Sequence, residues 1–334
     1  MGTAAVENVR LVLAAAVARG LSPGMLLAEA ELEPHALLAP EGRVPAWSAL
    51  RLWHVAAERC ADPAFGIAAA EHIQAGSYGA LGYAMHSSAT LGEGLRRLVT
   101  FFRLVNQRAT LALLEEGDLV RVRFLTEENI PPDMVRHPVE CVLFAVLRFT
   151  RKLTGATVWP LSVSFQHAAP AELSAHSRAF GDALAFSQPH SELVLSRRVL
   201  ALPQRGADPS MAEFMERHLR RLLQELPPEE TFLVRVRGVL LEELRRGEPS
   251  LEALSERLRL SKRTLQRRLK QEGTSLQQLL DEVRRELALR HLSDSKESIA
   301  EVAFLLGFSE VSAFHRAFKR WTGSTPGEYR QALP

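Results

Sequence analysis

The chain has 334 residues, 46% of them hydrophobic and 24% charged, with a formal net charge of +2 at pH 7. Such a composition belongs to a folded globular protein that is too long for one average core, so two domains are expected. It excludes a membrane-spanning helix, because the longest apolar runs, at 11–18 and 302–308, fall well short of the roughly 20 residues that a bilayer requires.

The first half reads as helices punctuated by caps. Residues 6–19 have helical spacing and stop at Gly20, Ser22 and Pro23 open the next helix, and 47–60 places Leu50, Trp53, His54 and Ala57 on one stripe. Asp62-Pro63 opens a helix to about residue 73, Gly76 and Gly79 interrupt, and Thr90 caps a helix over 91–105 with Glu93 as capping-box partner. The period then changes: 111–114, a turn at 115–118 and 119–126 form a hairpin in which Val120, Val122 and Phe124 alternate with Arg121 and Arg123. A long helix over 133–153 ended by Gly155, a strand over 158–165, a short helix over 171–180 stopped by Gly181, and strands at 183–186 and 192–196 follow. This region is α+β, rich in helix with a small sheet.

Over 208–226 a helical pattern returns, with Met211, Phe214, Met215, Leu219, Leu222 and Leu223 on one side. That stripe either packs on its own domain or pairs with a second copy, and Pro227-Pro228 ends it. Beyond Thr231 the chain reads as an all-α domain, with helices over 233–246, 251–258, 262–271, 275–292, 299–306, 311–321 and 327–331. Charge follows this division: residues 1–227 carry 22 Lys and Arg against 23 Asp and Glu, whereas 228–334 carry 19 against 16. Lys262, Arg263, Arg267, Arg268 and Lys270 concentrate the excess, either as a solvated helix face or as a phosphate footprint.

Residues 250–275 and 298–325 repeat one plan. Caps at Ser250 and Ser298 precede apolar helices (Leu251, Leu254, Leu258; Ile299, Val302, Leu306), and a break ends in Ser261 or Ser309. A second helix then carries Leu265, Leu269 and Lys270, or Phe314, Phe318 and Lys319, before Gly273 or Gly323. A generic bundle shares the apolar stripes but not the matched serines, anchors and glycines, so this is read as a duplicated helix-turn-helix. Small Ala253, Ser255, Ala300 and Ala303 let the first helix approach the second, whose anchors leave its other face free. On that face Lys262, Arg263, Gln266 and Arg267 are types suited to guanine and adenine edges in a major groove about 12 Å wide. The second copy offers Ser312, Ala313, His315 and Arg316, with Lys319 and Arg320 for phosphate. The joining helix spans roughly 27 Å at about 1.5 Å per residue. That suits two reading helices set into successive major grooves of a duplex with a turn of about 34 Å.

Residues 231–330 resemble the AraC/XylS-type DNA-binding domain, and IAEVAFLLGFSEVSAFHRAFKRWTGSTPGEYR (299–330) is similar to that family's signature nearly end to end. DPAFGIAAAEHIQAGSYGALGYAMHSSATLGEGLRRLVTFFRLVN (62–106) and FGDALAFSQPHSELVLS (180–196) resemble the effector domain of ornithine-utilisation-regulator-type members. The resemblance implies an effector-sensing and dimerisation domain at 1–206, a helical linker at 207–230, and a DNA-binding domain of two helix-turn-helix motifs joined by a linker helix at 231–334. It implies base contacts from Arg263, Gln266, Arg267, Ser312, Ala313 and Arg316, and backbone contacts from Lys262, Arg268, Lys270, His315, Lys319 and Arg320. Ala313 lacks a hydrogen-bonding side chain for such a role. The implied partners are double-stranded promoter DNA, RNA polymerase, a small-molecule effector and a second copy of the chain, in a regulator that acts as an activator. The label arabinose-binding, often attached to such N-terminal domains, implies nothing about a sugar here.

Competing classes leave weaker traces. Gly20-Leu21-Ser22-Pro23-Gly24 fits G-x-S-x-G, but a nucleophile elbow follows a strand and here a helix precedes, with Gly20 and Ser22 accounted for as caps. The histidines show no H-E-x-x-H or paired metal spacing, and no glycine loop fits a nucleotide phosphate, so no catalytic residue, metal or cofactor is expected. Cys60 and Cys141, the 2 cysteines, read as free buried thiols. The opening MGTAAVENVR lacks the features of a secretory leader, which points to the cytoplasm. A regulator that binds DNA without ligand and only dimerises through its first region is the alternative to a ligand-controlled one. Effector candidates are Tyr83, His86, Arg103, Asn106 and Glu140, polar groups beside the apolar stripes of 78–105 and 132–149. For each the plainer alternative is the stronger one: Tyr83 and His86 as satisfied core or rim residues, and Arg103 paired to Glu140 across the two helices.

Overall fold

The computed structural model describes residues 2–39, 41–127, 130–226, 232–244, 247, 249–258, 260–293, 297–308 and 310–331. The chain divides into two compact units, Met1–Glu229 and Glu230–Pro334. The expected cap Ser309, the Pro227-Pro228 helix end, the start at Thr231 and the end at Arg246 lie outside the described residues.

The first unit runs β1 (Thr3–Ala5), α1 (Val6–Val17), α2 (Pro23–Glu29), β2 (Arg43–Pro45), α3 (Ala46–Cys60), α4 (Phe65–Glu71), α5 (Gly79–His86) and α6 (Leu91–Val105). It continues with β3 (Ala109–Glu116), β4 (Leu119–Thr126), α7 (Arg136–Thr154), β5 (Ser162–Ser164), α8 (Ser174–Phe180), β6 (Leu184–Ala185), β7 (Ser191–Ser196) and α9 (Pro209–Glu225). β1 pairs with β2, and the main sheet has the order β3-β4-β7-β5-β6, with only β5 and β6 parallel. The hairpin is tighter than expected: Glu116 pairs with Leu119, so Gly117 and Asp118 alone make the turn, and Gly117 takes φ +59°. Val120, Val122 and Phe124 are buried, whereas Arg121 and Arg123 on the opposite face both bind Glu192 of β7 at 2.8 Å. Burial of Leu143, Leu147, Phe165, Phe180 and Leu193 in one core places α7 against the sheet and α8.

Several expectations need correction. The strand expected over 158–165 shrinks to Ser162–Ser164, because Pro160 has no N–H for a ladder and Trp159 and Leu161 face solvent. His54 leaves the apolar stripe and is exposed beside Glu58. Within the segment expected as a helical linker, α9 covers Pro209–Glu225 and packs on the first unit. Asp208 caps α9 through Met211 N, Leu219 is buried in the first core, and Glu216 binds Arg97 of α6 at 2.9 Å. The apolar stripe is split: Leu219 packs inward, whereas Met211 and Phe214 are exposed.

The second unit runs α10 (Phe232–Leu244), α11 (Leu251–Leu258), α12 (Lys262–Gln271), α13 (Leu276–Ser293), α14 (Ile299–Leu305), α15 (Val311–Thr322) and α16 (Pro326–Gln331). Its buried side chains form two clusters. Leu254, Leu258, Leu265 and Leu269 pack with Leu279, Leu280 and Val283 of α13, while Val302, Leu306, Phe314 and Phe318 pack with Ala288 and Leu292 farther along α13. One helix is thus the spine of both halves. Ser255 and Ala303, at equivalent positions, are buried as close approach demands, but Ala300 is exposed.

Candidate functional site

In α12 the caps and anchors decide which face is offered. Ser261 Oγ accepts from Thr264 N at 3.1 Å, Gly273 leaves the helix with φ +74°, and fully buried Leu265 and Leu269 fix the inner side. Arg263, Gln266, Arg267 and Lys270 are therefore exposed together, as is Lys262, which pairs with Glu252. Arg268 differs: it lies half-buried on the helix flank, its guanidinium 5.5 Å from the centroid of Phe232.

α15 shares the anchors and the glycine stop, but its N-cap is Glu310, which makes no side-chain cap hydrogen bond. Phe314 and Phe318 are buried, with ring centroids 5.7 Å apart, and Gly323 ends the helix at φ +83°. Ser312, Arg316, Lys319 and Arg320 are exposed, whereas Ala313 and His315 are half-buried. Ser312 Oγ donates to Glu310 at 3.0 Å and Arg320 binds Asp281 at 2.9 Å. Exposed pairs of this kind contribute about 0–1 kcal/mol, so they leave Lys262 and Arg320 available to a phosphate.

The residue that orients the second copy is Arg284 of α13, which the sequence reading overlooked. It is 6% exposed; its Nε donates to Leu306 O at 2.9 Å and its Nη2 to Gly307 O at 3.1 Å, at the C-terminal end of α14. The guanidinium also stands 4.5 Å from the Phe308 centroid. A cation there satisfies carbonyls that the helix end leaves open and complements its dipole. The available signal was a basic residue at an apolar-period position, next to Leu280 and Val283.

In the first unit a cavity of about 70 Å³ lies between α5, α6 and α7. Met85, Leu98, Phe102, Val142, Val146 and Phe149 supply much of its wall, and His86 is the one sequence candidate that lines it. Tyr83 is exposed; Asn106 accepts from Arg108 N at 2.9 Å and borders a different pocket. Arg103 is not the partner of Glu140. That carboxylate, fully buried on α7, accepts from His176 Nε2 at 2.8 Å and Arg136 Nε at 3.0 Å, with His137 and His167 at 3.6 and 3.5 Å. Glu140 is therefore a structural anchor tying α7 to α8 and to the segment after β5. Sequence reasoning missed Tyr78, Leu98 and Phe102 as cavity residues, because an apolar side chain facing a cavity has the same local pattern as one facing the core.

Burial works to raise the Glu140 pKa, but the His137 and His176 imidazoles and the Arg136 charge prevail and hold it at about 2. Burial lowers that of His167. Both shifts make the folded state bind fewer protons than the unfolded one, so each contribution is complete at neutral pH and erodes on acidification. That of His167 fades below about pH 6.5 and that of Glu140 from about pH 4.5 toward 2. Urea midpoints for the first unit are expected to hold between pH 8 and pH 7, to fall below about pH 6.5 and to fall further between pH 4.5 and pH 3; an unchanged midpoint contradicts this account.

Among the described residues no group of three or more His, Cys, Asp or Glu is arranged to hold a metal ion, and no helix is long and apolar enough to cross a membrane.

Residues 20–204 match the family described as the arabinose-binding domain of AraC transcription regulator, N-term, and residues 254–332 match a helix-turn-helix domain family. The ornithine utilization regulator of Pseudomonas aeruginosa is 33% identical over 94% of this chain and 92% of its own. The HTH-type transcriptional regulator VirS of Mycobacterium tuberculosis is 30% identical over 84% of this chain and 82% of its own. The solved structure of transcriptional regulator CdpR from Pseudomonas aeruginosa covers 92% of this chain and 96% of its own at 24% identity, with a TM-score of 0.44. These relatives are transcription regulators, not enzymes.

Proposed function

The chain belongs to the AraC family of DNA-binding transcription regulators, and from that premise we propose that it activates transcription at promoters under control of a small-molecule effector bound in its first unit. α12 and α15 enter successive major grooves. Arg263, Gln266 and Arg267 read bases from α12, and Ser312, Ala313 and Arg316 do so from α15, where Ala313 contributes only apolar contact. Lys262, Lys270, Lys319 and Arg320 meet phosphates, with the flank residues Arg268 and His315 at the groove edge. One observation carries this reading: two helices held by paired buried anchors present matched polar faces, and both are fixed to the single spine α13.

The effector biases the first unit between two arrangements by binding one better than the other. Exposed Met211 and Phe214 on α9 supply an apolar surface for a second copy. RNA polymerase is the further partner of an activator.

Arg267→Ala is expected to weaken binding to the operator by about 1–3 kcal/mol and to relax specificity at one or two base pairs. Lys319→Ala is expected to weaken all sequences alike and to reduce the salt slope by about 1. Fluorescence anisotropy on operator and scrambled duplexes over a salt series measures both. Equal affinity for both duplexes in the parent chain, unaffected by Arg267→Ala, overturns the reading.

A further inference from the structure

The cavity between α5, α6 and α7 indicates the chemistry of its occupant, an inference that rests on reading the first unit as the effector domain. No Asp, Glu, Lys or Arg is among the described residues that line it; its polar groups are Gln74, Tyr78 and His86. Phe102 of α6 and Phe149 of α7 contribute rings to an otherwise largely aliphatic wall.

His86 is held in a particular way. A Cβ on Gly206 would stand 2.5 Å from its Nε2, so the glycine gives the ring room on that edge. Its Nδ1 is buried and has no hydrogen-bond partner among the described residues. A buried polar atom without a partner is costly, so this ring gains from any turn that brings Nδ1 to the cavity and a hydrogen-bonding occupant.

A larger cavity of about 250 Å³ beside α9 has Glu7, Glu41, Arg43 and Glu225 at its edge, and Glu7 stands 3.6 Å from Arg10. Arg43 donates to Thr3 O and Leu104 O, Glu41 accepts from His218, and Glu225 binds Arg221. With Glu7 also on its edge, that second cavity is a charged and more polar site, unlike the uncharged one between α5, α6 and α7.

We propose that the effector is a small, uncharged molecule with a short apolar body between Phe102 and Phe149 and one hydrogen-bonding head toward the polar side of the cavity, where Gln74, Tyr78 and His86 stand. A pentose brings more hydroxyls than this wall can pair, and a diamino acid brings charges that find no counter-charge; both are disfavoured on desolvation. An alkyl body gains about fourfold in affinity for each methylene buried. The volume is roughly half that of a dry cavity known to admit benzene, about 150 Å³, so the occupant is smaller than benzene, with a body of about one to three carbons.

The test is calorimetry and ligand-observed NMR on the full chain with methanol, ethanol, 1-propanol, 1-hexanol, L-arabinose and L-ornithine. Affinity is expected to rise about fourfold per methylene from methanol to 1-propanol with a negative heat-capacity change and to fall at 1-hexanol, and the two polar probes to give no signal. Val146→Phe, which fills the cavity, is expected to weaken 1-propanol at least tenfold. If that variant does not fold, Val142→Phe is expected to do the same. Absence of alcohol binding, equal alcohol binding in the cavity variants, or tighter binding of arabinose or ornithine overturns the proposal. Should one of the polar probes bind and shift operator affinity, effector control stands and this ligand class falls. Should 1-propanol bind with the chain-length dependence while operator affinity stays constant, the ligand class stands and effector control falls.

Discussion

Glu140→Ala is expected to lower the stability of the first unit by about 3–5 kcal/mol, the range for removing one partner from a buried ion pair. The carboxylate is fully buried and collects His176, Arg136, His137 and His167 from three parts of the chain. Its loss removes the acceptor shared by Arg136 Nε and His176 Nε2, although Arg136 keeps Pro63 O and His167 keeps Ala168 O, and the methyl group leaves a void beside Phe165 and Phe186, which pack on His167 and His176. A domain stable by about 5–15 kcal/mol loses a large share of that. Urea unfolding followed by near-UV circular dichroism measures the change. Glu140→Gln, which keeps an acceptor oxygen for His176 but removes the charge, is expected to cost less than the alanine variant and to flatten the dependence on pH below 4.5. Equal stability of Glu140→Ala and the parent refutes the anchor role.

Phe318→Ala is expected to cost about 3–5 kcal/mol within the second helix-turn-helix, the range for emptying a buried aromatic site. Phe318 is fully buried, 5.7 Å from Phe314 and 5.6 Å from Tyr329 between ring centroids. The clusters around α12 and α15 are separate and share α13, so the damage is expected to stay mainly on the α15 side. Footprinting is expected to show protection shrinking to one major-groove segment while Arg267 contacts persist. Loss of both segments together means that the halves fold as one cooperative unit; an unchanged footprint means that α15 does not read DNA.

The C-terminal repeat was legible to within a residue or two at most helix ends, and the reason is local. Ser250, Ser261 and Ser298 accept from Ala253, Thr264 and Glu301 N, three residues on in each case, and Gly273 and Gly323 adopt the positive φ expected of helix stops. Thr90 behaves similarly with Glu93, although the Glu93 carboxylate reaches back to Ala89 N instead of completing the box at Thr90. Caps, anchors and period all act within one or two turns, so the sequence carries them openly.

The N-terminal site was less legible because its partners are chosen across long separations. Glu140 and Arg103 both looked like pocket groups, yet the carboxylate went to His176, 36 residues away, and only His86 of the candidates lines the cavity. On α9 the apolar stripe showed that one side needs covering, but not by what; Leu219 is covered by the first unit and Met211 and Phe214 are left out. Amino-acid order by itself thus specified α12 and α15, the serine cap of α12, their glycine stops and most of their exposed polar side chains, since each follows from a pattern a few residues long. Which polar group is paired, which apolar group is covered and where a cavity opens depended on packing between distant segments, because burial and pairing energies are set by neighbours that only the folded chain brings together.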